Sequence, residues 1–167
     1  MFHFENAKID DKKGFYQQIN EFLQSMIQDD SDWLAGLANA SALLYQLMPE
    51  INWAGFYLYK GGELVLGPFQ GKPACIRIAI GRGVCGTAAK TEEIQIVEDV
   101  HLFPGHIACD SESQSEIVLP MFHHQRLIGV LDIDSPVKAR FDQEDADGLI
   151  QFISILQQSL KWPECFG

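Results

Sequence analysis

SEIVLPMFHHQRLIGVLDIDS, residues 115–135, reads as two β-strands joined at a polar tip. Apolar residues recur at every second position, Ile117, Leu119 and Met121 before the tip and Leu127, Leu131 and Ile133 after it. Side chains alternate faces along a strand, so this odd-numbered set marks one core face. The even-numbered positions hold Glu116, Asp132 and Asp134 beside Val118, Ile128 and Val130. Matching the two apolar sets in an antiparallel pair requires partners of the same parity, for instance Glu116 opposite Asp132 with Asp134 one step diagonal. Three carboxylates then share one face. Like charges that close repel and raise one another's pKa, so the group persists where it is solvated, shares a proton or meets a cation. The apolar neighbours weigh against a wholly solvated face. His123 and His124, at the tip, read as polar turn residues.

Working outward, residues 53–59 and 63–69 read as strands flanking Gly61-Gly62, a pair suited to the positive φ angles of a tight hairpin turn. Shorter strands are expected over 75–80 and 94–97. Toward the N-terminus, Phe15, Tyr16, Ile19, Phe22, Leu23, Met26 and Ile27 recur at three and four residues and form one helical stripe. Ser31 reads as the N-cap of a second helix carrying Trp33, Leu37, Leu43, Leu44 and Leu47, with Pro49 just past its end. Asp142 with Asp145 resembles a variant capping box for a last helix through Phe152, Ile155 and Leu156, stopped near Trp162-Pro163. The order predicts an α+β fold: about six mainly antiparallel strands with N- and C-terminal helices packed on one face. The 167 residues are read as one domain, 1–167. One stretch, 99–113, lacks periodicity, and loops of that length in compact domains serve as binding or lid segments.

That stretch contains Cys109; Cys75 and Cys85 also lie among glycine and turn residues, and Cys165 trails at the C-terminus as a bystander. Thiols placed in loops point to chemical use more than to packing. The N-terminus lacks the apolar region of a secretory signal and no stretch approaches a membrane span, so the chain is expected in the cytoplasm with its thiols reduced. A formal net charge of -11 argues against nucleic acid and membrane surfaces as partners and also serves solubility. His101 and His106 share the loop with Cys109, where a positive charge would lower its pKa, although loop histidines are more often structural.

The segments WAGFYLY from Trp53, LGPFQGKPAC from Leu66, GRGVCG from Gly81, DVHLFPGHIACDSESQSEIVLP from Asp99 and GVLDIDS from Gly129 resemble the free methionine-(R)-sulfoxide reductases, of the GAF-domain superfamily. The resemblance implies that Cys109 is the nucleophile, that Cys75 is the main resolving cysteine and that Cys85 is a third cysteine able to form disulfides. It implies that Glu116, Asp132 and Asp134 grip the substrate's ammonium group and supply a proton to its oxygen, and that Trp53 walls the methyl-sulfur end. The R preference and a homodimer are expectations from the resemblance alone.

The chemistry needs these residue types. A sulfoxide sulfur is electrophilic, but its oxygen leaves only when protonated, so reduction requires a soft nucleophile and a nearby acid. Asp132 and Glu116 are the candidate acids, unranked. Attack by Cys109 yields methionine and a sulfenic acid, which Cys75 or Cys85 converts to a disulfide before irreversible oxidation. Thioredoxin, at about −270 mV, is the expected reductant, with no metal, flavin or nicotinamide cofactor. Backbone N–H groups around residues 81–86 would receive the substrate carboxylate, although Gly81 and Gly83 also read simply as turn residues. Two rival classes share these residues: a regulatory GAF module that binds a small ligand without catalysis, and a zinc site on Cys75, Cys85, Cys109 and a loop histidine.

Overall fold

The computed structural model describes residues 11–105 and 110–164. Two helices, α1 (Lys12–Ile27) and α2 (Trp33–Leu47), lead into the hairpin of β1 (Trp53–Lys60) and β2 (Glu63–Gly71). A short strand β3 (Arg77–Ala79), a helix α3 (Gly83–Thr91) and a short strand β4 (Gln95–Val97) follow. After a 3-10 turn at Val100–Leu102 come β5 (Ser115–His123), β6 (Arg126–Ser135) and the last helix, α4 (Gln143–Ser159). The strands make one antiparallel sheet in the order β3-β2-β1-β6-β5-β4, an α+β arrangement with the number of strands expected. Among the described residues no helix is long and apolar enough to cross a membrane.

The sheet is covered on both faces by unequal layers. On one, α1, α2 and α4 bury Ile19, Leu23, Leu37, Leu44, Phe152 and Leu156 against Phe56, Ile117, Leu119, Leu131 and Ile133. On the other, α3 packs Val84, Cys85 and Ala88 near Tyr57, Val118 and Val130. Period-two alternation therefore works as read: odd positions of β5 and β6 face the large helical layer, even positions face α3.

The register differs from expectation by two residues. Glu116 pairs with Asp134, Ile117 with Ile133 and Val118 with Asp132, so Asp132, not Asp134, is the diagonal neighbour of Glu116. The hairpin tip explains both this and a local reversal. His124 and Gln125 take φ of 48° and 64°, a two-residue turn of the kind that closes hairpins, and it forces His123 opposite Arg126. Those partners have opposite parity; a bulge beside Ile128 restores the matching parity by Met121↔Gly129. Ile128 consequently joins the helix-side core and Leu127 packs on the α3 side, the reverse of strict alternation. The Lys60–Glu63 closure behaves as read, with φ of 60° and 88° at Gly61 and Gly62.

Two boundaries are corrected. The N-cap of α2 is Asp32, whose carboxylate accepts from the Ala35 N–H, rather than Ser31. The strand expected over 75–80 shrinks to Arg77–Ala79, because aromatic side chains of β1 hold the preceding carbonyls: Trp53 Nε1 donates to Lys72 O and Tyr57 OH donates to Cys75 O.

The capping box at α4 forms as read, with Asp142 accepting from the Asp145 N–H and Asp145 accepting from the Asp142 N–H. Asp145 does more than cap. Only 1% exposed, it accepts from Tyr16 OH at 2.8 Å, pairs with Lys12 at 2.6 Å and with Arg140 at 3.3 Å, tying α1 to α4. Removing one member strands buried partners, so Asp145→Ala is expected to cost about 3 kcal/mol, read as a lower midpoint in urea unfolding; a midpoint equal to wild type would refute this role.

Candidate active site

A cleft opens on the α3 side of the sheet. Its floor is Glu116 from β5 with Asp132 and Asp134 from β6, and its walls include Trp53, Tyr57, Ile78, Val84 and Cys85. The register builds the floor: Asp134 lies opposite Glu116 on one side and opposite Trp53 on the other, while Asp132 lies opposite Val118 and Gly55. Gly55 is required there. A Cβ at that position would stand 2.7 Å from the Trp53 indole and 2.3 Å from Phe69 Cβ. The indole thus lies across the glycine, stacked with Phe69 at 5.3 Å and Tyr57 at 6.0 Å between ring centres.

Burial governs the electrostatics. Glu116 and Asp132 are 5% and 6% exposed. Burial first, then the charges of Asp132 and Asp134, lifts the Glu116 carboxyl well above the ordinary range. Burial pushes Asp132 up to about 6 against hydrogen bonds from Cys85 and Glu116 that favour its anion. Asp134 rises too, through burial and then the charges of Asp132 and Asp110. Cys85 lies on the first turn of α3, its Sγ 3.8 Å from Glu116 Oε1, and burial followed by Asp132 and Glu116 raises its thiol. At neutral pH this thiol is protonated and donates toward Glu116, so it is a poor nucleophile.

The three expected carboxylates and Trp53 therefore meet in one cleft, and Cys85 meets them. Cys75 is not among its lining residues: half-buried, it packs against the same apolar cluster and follows the lining residues Pro73 and Ala74 in sequence. Cys109, His106 and Cys165 lie outside the described residues. His101 is exposed and paired with Asp99 at 2.9 Å. Of the amides at 81–86, those of Gly81, Arg82 and Gly86 bond within the turn, to Gly86 O, Ala79 O and Arg82 O. The first turn of α3, at Gly83, Val84 and Cys85, lines the cleft.

Five rim residues escaped the sequence reading. Asn52 donates to Asp110 at 3.3 Å and to Ser113 at 3.0 Å, fastening the loop to the start of β1. Lys72 pairs with Asp110 at 3.2 Å and with Glu112, crossing from the β2–β3 connection to the same loop. The Glu112 N–H and then Lys72 hold the Asp110 carboxyl below its ordinary value, so it stays ionised as an anchor. Nothing in the sequence distinguished Asp110 and Glu112 from a solvated acidic run; their partner Lys72 lies 38 residues from Asp110.

An acid whose folded pKa is raised contributes stability that is fully present below its unfolded pKa. That contribution is lost as pH rises through the folded value, here between about 4 and about 6 for Asp132. Asp132→Asn is therefore expected to be more stable than wild type at pH 7.5, by on the order of 3 kcal/mol, and to show no such gain at pH 4. Thermal melts at the two pH values check this, and an equal difference at both would refute it.

The GAF domain profile matches residues 31–159. Protein YtsP of Bacillus subtilis strain 168 is 56% identical over 162 residues, 96% of this chain and 99% of that protein. The free methionine-R-sulfoxide reductase of Escherichia coli K12 is 54% identical over 149 residues, 89% of this chain and 90% of the relative. The X-ray structure of the free methionine-R-sulfoxide reductase from Neisseria meningitidis in complex with its substrate has a TM-score of 0.88 at 44% identity, covering 95% of this chain and 94% of that one. The chain thus belongs to the GAF-domain family, in its free methionine-R-sulfoxide reductase branch.

Proposed function

We propose that this protein reduces free methionine-R-sulfoxide to methionine, with Cys109 as nucleophile, an intramolecular disulfide as product and thioredoxin as reductant. The observation that carries the reading is the floor of Glu116, Asp132 and Asp134 beneath a stacked aromatic wall, in a chain closely similar to reductases of that name. A free amino acid brings an ammonium group that the anionic floor can receive. Its carboxylate meets the first turn of α3, where the helix dipole and backbone N–H groups favour an anion. Arg82, at the same end of the cleft, adds a positive charge. The methyl-sulfur end rests on Trp53. A methionine sulfoxide inside a polypeptide lacks the ammonium, and its entry would bury the carboxylates unpaired.

Glu116 is the proton donor. Burial first, and then the charges of Asp132 and Asp134, lift its carboxyl well above the ordinary range and so favour the neutral form that carries a proton. The Cys109 thiolate attacks the sulfoxide sulfur, Glu116 protonates the oxygen, and that oxygen leaves on Cys109 as sulfenic acid while methionine departs. A second thiol displaces the hydroxyl as water and forms the disulfide. Cys75 fills this role. Its segment is held by Tyr57 and Trp53 next to the cleft, whereas Cys85 is protonated and engaged with Glu116. A dithiol then reopens the bond by exchange.

Without reductant, reduced wild type is expected to release one methionine per chain and to gain one disulfide. Cys109→Ser should form methionine at least about 1000-fold more slowly. Cys75→Ser should give the single methionine but accumulate sulfenic and then sulfinic acid on Cys109. Methionine quantitation with peptide mass spectrometry reads each arm, and a fully active Cys109→Ser would end the assignment. Because the donor must be protonated, single-turnover rates should fall as pH rises on the alkaline side. Glu116→Gln should slow the step by roughly 100-fold and flatten that limb; a variant keeping the wild-type limb would exclude Glu116 as donor.

A further inference from the structure

We propose that Cys85, Glu116 and Asp132 form a site for one thiophilic divalent cation of the zinc class, and that its occupancy closes the cleft to substrate. Cys85 Sγ and one carboxylate oxygen from each acid lie within 4.8 Å of one another, all three side chains being buried. Zinc bonds of about 2.3 Å to sulfur and about 2.0–2.2 Å to oxygen set neighbouring ligand atoms roughly 3.5 Å apart. The Cys85 Sγ to Glu116 Oε1 distance of 3.8 Å is already close to that spacing. Small side-chain rotations bring the third ligand in.

A separate observation points to a missing partner. Asp132 Oδ1 is buried in the cleft and accepts no hydrogen bond from any described residue. A carboxylate oxygen removed from water in this way is costly until a donor or cation meets it. The substrate's ammonium is one such cation and a metal ion is another. The sulfur decides which metal: thiolate with two carboxylates favours zinc over magnesium or calcium, which prefer all-oxygen sites. On ligation the Cys85 thiol and the Glu116 carboxyl both release their protons to solvent, so three negative ligands face two positive charges. Three protein ligands leave a fourth position open toward the cleft. This set differs from the cysteine and histidine set that the sequence alone suggested: among the described residues the ligand atoms that cluster belong to Cys85, Glu116 and Asp132.

The binding claim stands without any reaction; the claim that zinc competes with substrate rests on the reductase reading. The reduced full chain is titrated with zinc against a chromogenic chelator, and with cobalt under anaerobic conditions. One zinc per chain is expected, with a thiolate-to-cobalt charge-transfer band that persists in Cys75→Ser. Zinc affinity should fall about 100-fold in Cys85→Ser and about 10-fold in Asp132→Asn. Zinc X-ray absorption of wild type should show one sulfur and otherwise oxygen or nitrogen, which decides the matter even if the core variants fail to fold. Absence of the cobalt band, its loss in Cys75→Ser, or two or more sulfurs per zinc would overturn the site. A chain that binds zinc as described but forms no methionine overturns the reductase reading alone. Turnover that zinc inhibits competitively, with reversal by chelator, supports both claims; turnover unaffected by bound zinc overturns the closure.

Discussion

The pairing of Glu116 with Asp134 across β5 and β6 is the constraint from which the site follows. It sets three carboxylates on one face of a sheet and leaves a cleft, rather than open water, in front of them. Such a group resists full ionisation, so the fold holds a proton there that the unfolded chain would lose near pH 4. The destabilisation at neutral pH has to be offset elsewhere. The same strands offset it from their other face, where Ile117, Leu119, Leu131 and Ile133 are buried without exposed surface beneath three helices. Structure and site are thus opposite sides of one alternation.

The aromatic residues of β1 join the floor to the rim. Trp53 and Tyr57 present their faces to the cleft and their polar atoms to the backbone of residues 72 and 75. Stacking of Trp53 between Tyr57 and Phe69, across Gly55, fixes the rings, and the rings fix the connection that carries Cys75. Lys72, on that connection, reaches Asp110, which Asn52 also holds. The two cysteine-bearing segments are therefore linked through side chains whose positions derive from β1. Exposed ion pairs such as Lys72 with Glu112 contribute little stability in water; their consequence here is to limit where the rim can go.

Much of this was legible because alternation is a strict rule. Odd and even positions in 115–135 separated core from acids with no knowledge of neighbours, and only the offset of the register was beyond reach. That offset depends on the tip, where His124 and Gln125 adopt positive φ despite being neither glycine nor asparagine, and on a bulge at Ile128 that no residue type announces. The misplacement of Leu127 and Ile128 has the same origin. At α2, Ser31 and Asp32 are both good caps, and only geometry chooses between adjacent candidates. The capping box at Asp142 and Asp145 was readable because both partners are local, whereas the burial of Asp145 against Tyr16 and Arg140 arises from helix packing. Asn52 and Lys72 were illegible for the same reason: their roles are contacts over long sequence separations.

Cys85 illustrates how a residue read for one property can serve through another. Its glycine-rich setting suggested a loop thiol available for redox chemistry, yet it sits on a helix turn facing the acids, protonated. Its S–H toward Glu116 favours the glutamate anion, opposing the upward push of burial and of Asp132 and Asp134. An acid raised without limit would hold its proton too firmly to act as the donor proposed above, because a useful donor has a pKa near the working pH. A buried thiol is a fitting counterweight. It donates a weak hydrogen bond without adding a charge, it is small enough for the first turn of α3 to pack on the sheet, and its own raised pKa keeps it in the thiol form.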